Sequence, residues 1–154
     1  MIRPITATLS LALLASTVMA QEAREIRFAP GHNSAMVSGA VVRGARDVYS
    51  FSARRGQMAK ITVSAVESNA AITVWRPGAR LGASIDDDIE GTTLPGAGEG
   101  QDARRWTGSL PQTGRYVIVV GPTRGNATYQ LRLGIGARSS RRAASASSPP
   151  PKAP

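Results

Sequence analysis

The histidine and cysteine content of this sequence limits the reactions that it could catalyse. The chain of 154 residues contains one histidine, His32, in the run Pro-Gly-His-Asn-Ser, and it contains no cysteine. A histidine that acts as a general base or activates a nucleophile needs a partner within hydrogen-bond reach, and the sequence identifies none. Two carboxylates could perform glycoside hydrolysis, but nothing in the sequence brings two of them together across a cleft. We therefore predict that the protein is not an enzyme and that His32 and Ser34 belong to a turn.

The interval from residue 79 to 101 holds a dense group of carboxylates, Asp86, Asp87, Asp88 and Glu90. Calcium prefers clustered oxygen ligands, but this spacing is not that of an EF-hand loop, and adjacent carboxylates in an extended chain point in different directions. The glycine-rich run at 96–100 neither follows a strand nor begins a helix, as a dinucleotide site requires. The sequence favours a solvated acidic loop and predicts no metal and no cofactor.

The first 20 residues have the features of a secretory signal peptide. Arg3 precedes an apolar stretch that ends in small residues at Ala20. The apolar stretch is shorter than the roughly 20 residues that a membrane-spanning helix needs. We expect cleavage after Ala20, export to the periplasm and no membrane span. Without cysteine, the exported domain would be held together by packing rather than by disulfides.

Residues 21–137 are expected to form one folded domain, followed by a tail over 138–154. Of the 19 Lys and Arg residues, Arg3 leaves with the signal peptide and four belong to the tail, so the domain carries 14 basic residues against 10 acidic ones. The tail consists of Ser, Ala, Pro and basic residues and contains no large apolar residue. This composition predicts disorder. It would either hold the protein weakly near anionic cell-wall polymers or have no specific role.

Short runs of alternating apolar and polar residues fill the domain. Eight of them, separated by Gly, Pro and Asn, cover residues 24–28, 35–42, 47–53, 58–66, 70–75, 104–110, 115–121 and 128–135. A period of two with many Val, Ile, Thr and Tyr residues indicates strands. We predict an all-β fold, a single antiparallel β-sandwich or jelly-roll domain of about eight strands. The aromatic residues lie mostly at strand positions that the core would bury, which argues against stacking on nucleic-acid bases.

Several of these runs resemble a known family. The segments IRFAPGHNSAMVSG, DVYSFSARRGQ, WRPG, SLPQTGRYVIVV and TRGNATYQLRL resemble the bacterial periplasmic inhibitors of g-type lysozyme. That family belongs to a wider group of β-sandwich domains that includes the pre-peptidase C-terminal domains. The resemblance covers about Glu25 to Ile135. The later segments are shared by the wider group, whereas the first segment, which contains His32, is narrower and points to the inhibitors.

The resemblance implies a protein that protects the cell wall by binding lysozyme and blocking its cleft with surface loops. Arg suits this task, because its planar fork pairs with a carboxylate through two hydrogen bonds. We predict that Arg124, in the turn GPTRGN, is the inserted residue, and that Tyr49, His32 and Ser34 also bind lysozyme. Tyr49 has an alternative place in the core, since Phe51 shares its face of the strand. The alternative function is a non-enzymatic glycan- or wall-binding module that uses the basic tail and exposed tryptophans.

Overall fold

The computed structural model describes residues 22–82 and 88–138. The strands are β1 (Arg24–Glu25), β2 (Ser34–Val41), β3 (Asp47–Ala53), β4 (Gln57–Ala65), β5 (Ala70–Trp75), β6 (Arg105–Ser109), β7 (Gly114–Pro122) and β8 (Ala127–Arg138). A single 3₁₀ turn, Val66–Ser68, joins β4 to β5, and the described segments contain no helix that could span a membrane. The expected signal peptide, the tail beyond Arg138, and Asp86 and Asp87 of the acidic group lie outside the described residues.

The strands form two four-stranded sheets, which confirms the predicted all-β sandwich. Sheet A has the order β1-β3-β7-β5, and sheet B has the order β2-β8-β4-β6. Neighbouring strands are antiparallel except for β1 and β3, which are parallel. Strand β1 is shorter than the run predicted at 24–28. One further backbone hydrogen bond continues the sheet, from the Ile26 N–H to the Ser50 carbonyl at 2.7 Å. The chain then approaches Pro30, which has no N–H to donate to a neighbouring strand.

The core lies between the two inner sheet faces. Alternate side chains of a strand point to the same face, so the period of two in the sequence becomes one buried layer per sheet. Phe51 of β3 and Tyr116 of β7 are both fully buried, and their rings stack with centroids 5.3 Å apart. Ile61, Leu131 and Leu133 belong to the same buried cluster and come from sheet B. An aromatic pair of this kind stabilises a fold by about 0.5–1.5 kcal/mol beyond its buried area.

The segment between β5 and β6 covers the edge of sheet A. The Leu94 N–H donates to the Val74 carbonyl at 2.8 Å, and the Val74 N–H donates to the Ala97 carbonyl at 2.9 Å. Leu94 and Ala97 are buried in the core. Asp88 and Glu90 are exposed, in agreement with the solvated acidic loop, whereas Ile89, Leu94 and Ala97 of the same segment are buried. Its apolar residues cover a strand edge that would otherwise leave backbone groups unpaired.

Gly39 of β2 is pressed against two side chains from other strands. It pairs with Tyr129 of β8, and a β-carbon built on Gly39 would lie 2.6 Å from the Tyr129 Cζ and 2.8 Å from the Asp47 Oδ2. Tyr129 and Asp47 are themselves hydrogen-bonded. A side chain at position 39 would therefore have to displace this contact.

The substitution Gly39→Ala should destabilise the fold. Forcing a methyl group into a packed site costs about 1–3 kcal/mol, so we expect a lower midpoint of urea unfolding with an unchanged slope. Tryptophan fluorescence during unfolding is the measurement. Gly121→Ala is the matched control, because a β-carbon on Gly121 meets no atom within 4 Å. Equal midpoints for the two variants would show that the space around Gly39 is not limiting.

Candidate functional site

The strand directions separate the residues predicted to bind lysozyme. Strands β2 and β8 are antiparallel, and Val41, the last residue of β2, pairs with Ala127, the first residue of β8. Arg124 precedes Ala127 and therefore lies at this end of the sandwich. His32 precedes Ser34, the first residue of β2, and lies at the opposite end. Strand β2 rises about 3.4 Å per residue, so its two ends lie roughly 24 Å apart. A surface inserted into a lysozyme cleft can therefore contain Arg124 or His32, but not both.

Three connections meet at the Arg124 end, and we call them together the loop end. They are residues 42–46 between β2 and β3, residues 66–69 between β4 and β5, and residues 123–126 between β7 and β8. The predicted turn at 123–126 is exposed. The loop end is thus built from the turns of both sheets.

Two asparagines tie the loop end together. The Asn126 Oδ1 accepts a hydrogen bond from the Arg43 N–H at 2.9 Å, and the Asn126 carbonyl accepts one from the Asn69 side-chain amide. The Asn69 carbonyl in turn accepts from the Thr123 N–H at 2.8 Å. Each loop is therefore held to another by a hydrogen bond, which limits the number of conformations that the loop end loses when it binds a partner.

Arg124 is exposed on the loop end. Its Nη2 donates to the Glu67 carbonyl at 3.3 Å. A guanidinium carries five N–H donors in a fixed plane, so this contact orients the group while other donors point to solvent. Gly125 has a φ of 62°, a left-handed conformation that glycine adopts without steric cost. The turn therefore exposes Arg124 in the way that its sequence indicated.

The backbone at and beside the loop end is strained. Across residues 22–82 and 88–138, the non-glycine residues with left-handed φ are Glu67 (57°), Ser68 (54°) and Asp102 (46°). Glu67 and Ser68 belong to the loop end, and Asp102 lines a groove of about 450 Å³ beside it together with Gly44 and Thr123. Conformations of this kind cost on the order of 1–3 kcal/mol each and cluster at functional sites.

Exposed apolar side chains also concentrate at the loop end. Val42 is 60% exposed and Val66 is 77% exposed, and Met36 completes the set of exposed large apolar residues in the described part of the chain. Val42 precedes Arg43, which is bonded to Asn126. Val66 precedes Glu67, whose carbonyl holds the Arg124 side chain. The loop end therefore presents a cation and two apolar side chains.

Tyr49 lies beneath this surface rather than on it. The side chain faces the core and the residue is 2% exposed, which is the alternative placement that its position beside Phe51 allowed. Its hydroxyl lies 2.7 Å from the Tyr129 hydroxyl. The Arg24 guanidinium donates to the Tyr49 hydroxyl at 2.9 Å and lies over the Tyr49 ring, 4.7 Å from its centroid.

Asp47 completes this network at the start of β3, directly after the loop at 42–46. It accepts a hydrogen bond from the Tyr129 hydroxyl and forms an ion pair with Arg24 at 2.9 Å. Burial raises the pKa of the Tyr129 hydroxyl well above its usual range, and the hydrogen bonds to Asp47 and Tyr49 raise it further. We call Arg24, Asp47, Tyr49 and Tyr129 the tyrosine network. It joins the two sheets below the loop end.

The opposite end of the sandwich carries the turn with His32 and Ser34, and both residues are exposed. The His32 N–H donates to the Ala29 carbonyl at 2.9 Å, and the His32 Nδ1 lies 3.1 Å from the Pro30 carbonyl. The Asn33 carbonyl accepts from the Ile135 N–H at 2.7 Å. These contacts explain the turn geometry of the motif, and the side chains of His32 and Ser34 face solvent.

Two other sequence expectations concern metals and tryptophans. No group of three or more His, Asp or Glu side chains able to hold a metal occurs within the described segments. Trp75 is 5% exposed and Trp106 is 9% exposed. The Trp106 Nε1 donates to the Pro95 carbonyl at 3.0 Å. The exposed tryptophan faces assumed for a glycan-binding module are therefore wrong, because the segment between β5 and β6 covers both rings.

The sequence identified Arg124 but not the residues that position it. Asn126 and Asn69 gave no signal, because an asparagine in a turn usually bonds its own backbone and the partner loops are distant in sequence. The strain at Glu67 and Ser68 gave none either, since neither residue type favours a left-handed conformation. The alternation over 58–66 predicts that Val66 ends a strand, whereas β4 ends at Ala65 and Val66 begins the 3₁₀ turn.

No protein-family model matches the chain, and no curated protein sequence matches it. Solved structures do match it. The crystal structure of Aeromonas hydrophila PliG, a periplasmic lysozyme inhibitor of g-type lysozyme, is similar with 25% sequence identity and a TM-score of 0.55, over 73% of this chain and 95% of that one. The crystal structure of Salmonella Typhimurium PliG, also a periplasmic inhibitor of g-type lysozyme, is similar with 24% identity and a TM-score of 0.53, over 75% and 99%.

The pre-peptidase C-terminal domain of a Bacillus anthracis collagenase also matches, with 16% identity and a TM-score of 0.43 over 73% of this chain and 95% of that domain. The two PliG structures confirm the resemblance that the sequence motifs indicated, as a structural likeness to periplasmic inhibitors of g-type lysozyme.

The substitution Tyr129→Phe should make the stability of the protein less sensitive to alkali. Because folding raises the pKa of Tyr129, the neutral hydroxyl contributes stability below about pH 10, where an unfolded tyrosine ionises, and this contribution is lost as the pH rises further. Urea unfolding between about pH 8 and about pH 11 measures it. We expect the free energy of unfolding to fall less steeply in Tyr129→Phe than in the unchanged protein.

Tyr116→Phe is the comparison, because burial also raises the pKa of Tyr116, while the Tyr116 hydroxyl bonds the backbone of Gln112 rather than a carboxylate. Each variant should reduce the fall in the free energy of unfolding at alkaline pH by the share that its own tyrosine contributes. Identical pH profiles for Tyr129→Phe and the unchanged protein would contradict the role given to the tyrosine network.

Proposed function

We propose that the chain is a periplasmic inhibitor of lysozyme, with g-type lysozyme as its target, and that the loop end enters the cleft of the enzyme. The observation that carries the proposal is the structural likeness to the Aeromonas hydrophila inhibitor, which extends over 95% of that protein. The expected signal peptide supports export, and the expected domain at 21–137 supports a single binding module. The proposal requires binding alone and no catalysis by this chain.

The chemistry of Arg124 supports the loop end as the inserted surface. A lysozyme cleft contains a catalytic carboxylate and hydrogen-bonding groups that recognise sugars. A guanidinium can pair with that carboxylate through two parallel hydrogen bonds. The Arg124 side chain is exposed and already oriented by the Glu67 carbonyl, so less rotamer freedom is lost when it binds.

The surroundings of Arg124 fit the anatomy of a binding site. Interfaces place a few strong contacts at the centre and surround them with groups that exclude water. Val42 and Val66, both largely exposed on the loop end, can be buried in the same interface as the guanidinium. Burying such a side chain contributes about 1.5–3 kcal/mol. Apolar cover would also remove water from the new ion pair and strengthen it.

Tyr49, His32 and Ser34 have different places in this proposal. Tyr49 is buried, and we assign it a supporting role, since its network fixes Asp47 directly beside the loop at 42–46. His32 and Ser34 are exposed at the opposite end. Their contact with lysozyme remains a prediction that requires a second surface, and it can be tested separately from Arg124.

The substitution Arg124→Ala should weaken inhibition by roughly 30-fold or more, because loss of a central contact typically costs about 2 kcal/mol or more. The measurement is the lysis of purified cell walls by g-type, c-type and i-type lysozymes, each with the mature protein or a variant. Arg54→Ala is the matched control, since Arg54 is exposed in the turn between β3 and β4 at the opposite end.

Three outcomes of these lysis assays would contradict the proposal. If the unchanged protein suppresses none of the three lysozymes, the proposed function is wrong. If Arg124→Ala and Arg54→Ala suppress lysis equally well, the loop end is not the surface that blocks the cleft. Suppression of the c-type or i-type enzyme alone would contradict the choice of target.

The substitution Val66→Asp should also weaken binding to lysozyme. It places a charge, which must lose its water on binding, where the proposed interface buries the two methyl groups of Val66. Isothermal titration of the variant with lysozyme, without cell wall, gives its dissociation constant. His32→Ala is measured beside it and should leave the constant nearly unchanged. A larger loss for His32→Ala than for Val66→Asp would move the binding surface to the opposite end of the sandwich.

A further inference from the structure

The outer face of sheet B is uncovered by any described segment. Successive outward positions on its four strands are exposed or half-exposed. We call this surface the sheet-B face, and its outward residues are Ser34, Met36, Ser38 and Ala40 on β2, Thr128, Gln130, Arg132 and Gly134 on β8, Lys60, Thr62 and Ser64 on β4, and Arg105, Thr107 and Ser109 on β6. Hydroxyl, amide and cationic groups dominate it.

The charges of the sheet-B face all have one sign. The four strands of sheet B contain no Asp or Glu residue, whereas Lys60, Arg105 and Arg132 are exposed on the face. Arg132 pairs with Thr62, and Thr62 pairs with Arg105, so the two guanidinium-bearing positions are two strand spacings, or about 10 Å, apart. No ion pair within the described residues involves any of the three cations. A face of this kind attracts extended anions.

The surface shape of the sheet-B face suits a chain of sugars better than a protein partner. Gly134 lies between Ser34 and Lys60 in the ladder and leaves a gap in the row of side chains. Two shallow grooves lie along the face. One, of about 260 Å³, is lined by Lys60, Thr107 and Gly134 among others.

The other groove, of about 430 Å³, includes Ser38, Ser64 and Gln130 in its lining and is bordered by Val66 of the loop end. Protein interfaces are anchored by buried apolar and aromatic groups, but Met36 is the one exposed large apolar side chain among the outward residues of the face. Hydroxyl and amide groups instead match the hydrogen-bonding groups of a glycan.

We propose that the sheet-B face binds peptidoglycan of the bacterial cell wall. Lys60, Arg105 and Arg132 contact the carboxylates of its peptide stems, and the serine, threonine and glutamine side chains contact the hydroxyl and amide groups of its sugars. Val66 of the loop end borders one groove of the face, but the three cations lie farther along the strands, where Arg132 pairs with Met36 and Lys60 pairs with Gly134. The protein can therefore hold the wall through these cations while the loop end binds an enzyme.

The test is co-sedimentation of the mature protein with purified peptidoglycan sacculi at low ionic strength. The face variant is the triple substitution Lys60→Gln, Arg105→Gln and Arg132→Gln. The control triple, Arg27→Gln, Arg80→Gln and Arg115→Gln, removes the same charge from outside sheet B. A tail variant replaces Arg138, Arg141, Arg142 and Lys152 by Gln. Thermal unfolding confirms that each variant folds.

We expect the face variant to lose about tenfold in affinity for sacculi, since three exposed charge contacts each contribute up to severalfold, and the control triple to lose less than about twofold. Binding should weaken as salt is added, because exposed charges are screened. Chitin, an uncharged glycan, should bind much less than sacculi. Equal losses in the face variant and the control triple, a loss confined to the tail variant, or equal binding to chitin would overturn the proposal.

This outcome is independent of the lysozyme proposal. Inhibition is measured on a soluble chito-oligosaccharide, so that wall binding does not enter the assay. The face variant should inhibit as well as the unchanged protein, and Arg124→Ala should still sediment with sacculi. Loss of both properties in the face variant, in a chain shown to be folded, would also count against a separate wall-binding face.

Discussion

Strands β3 and β8 face each other across the core, and the hydroxyl groups of Tyr49 and Tyr129 meet there at 2.7 Å. Asp47 and Arg24 close the contact with a hydrogen bond and an ion pair. A buried polar network stabilises a fold only when its members are satisfied, and here each hydroxyl has a partner from another strand. The network therefore fixes how sheet A sits on sheet B. It also fixes the start of β3, and with it the loop at 42–46.

The loop end depends on this arrangement. Its three connections come from both sheets, and they can meet only if the sheets keep one relative position. Asn126 and Asn69 then bond loops that are far apart in sequence. The strain at Glu67 and Ser68 persists because these bonds and the flanking strands determine the path of the chain. The result is a cation, Arg124, presented at a defined place on a loop end that also exposes two valines.

The sequence predicted the strands well because alternation is a local property. All eight runs correspond to strands, and the core positions of Phe51 and Tyr116 follow from the same period. Features set by contacts between distant segments could not be predicted. The parallel pairing of β1 with β3, the burial of the segment that covers β5, and the space that Gly39 leaves for Tyr129 depend on the packed fold. Arg124 was found from its turn, whereas its asparagine clamp required the structure.

The central claim is that the loop end is the surface that binds lysozyme. Amide hydrogen exchange, measured for the protein alone and with g-type lysozyme in excess, tests it most directly because it reports every segment at once. The account expects slower exchange in the complex at residues 42–46, 66–69 and 123–126, with little change at residues 29–34. Slower exchange confined to residues 29–34, or no change in any segment, would contradict it.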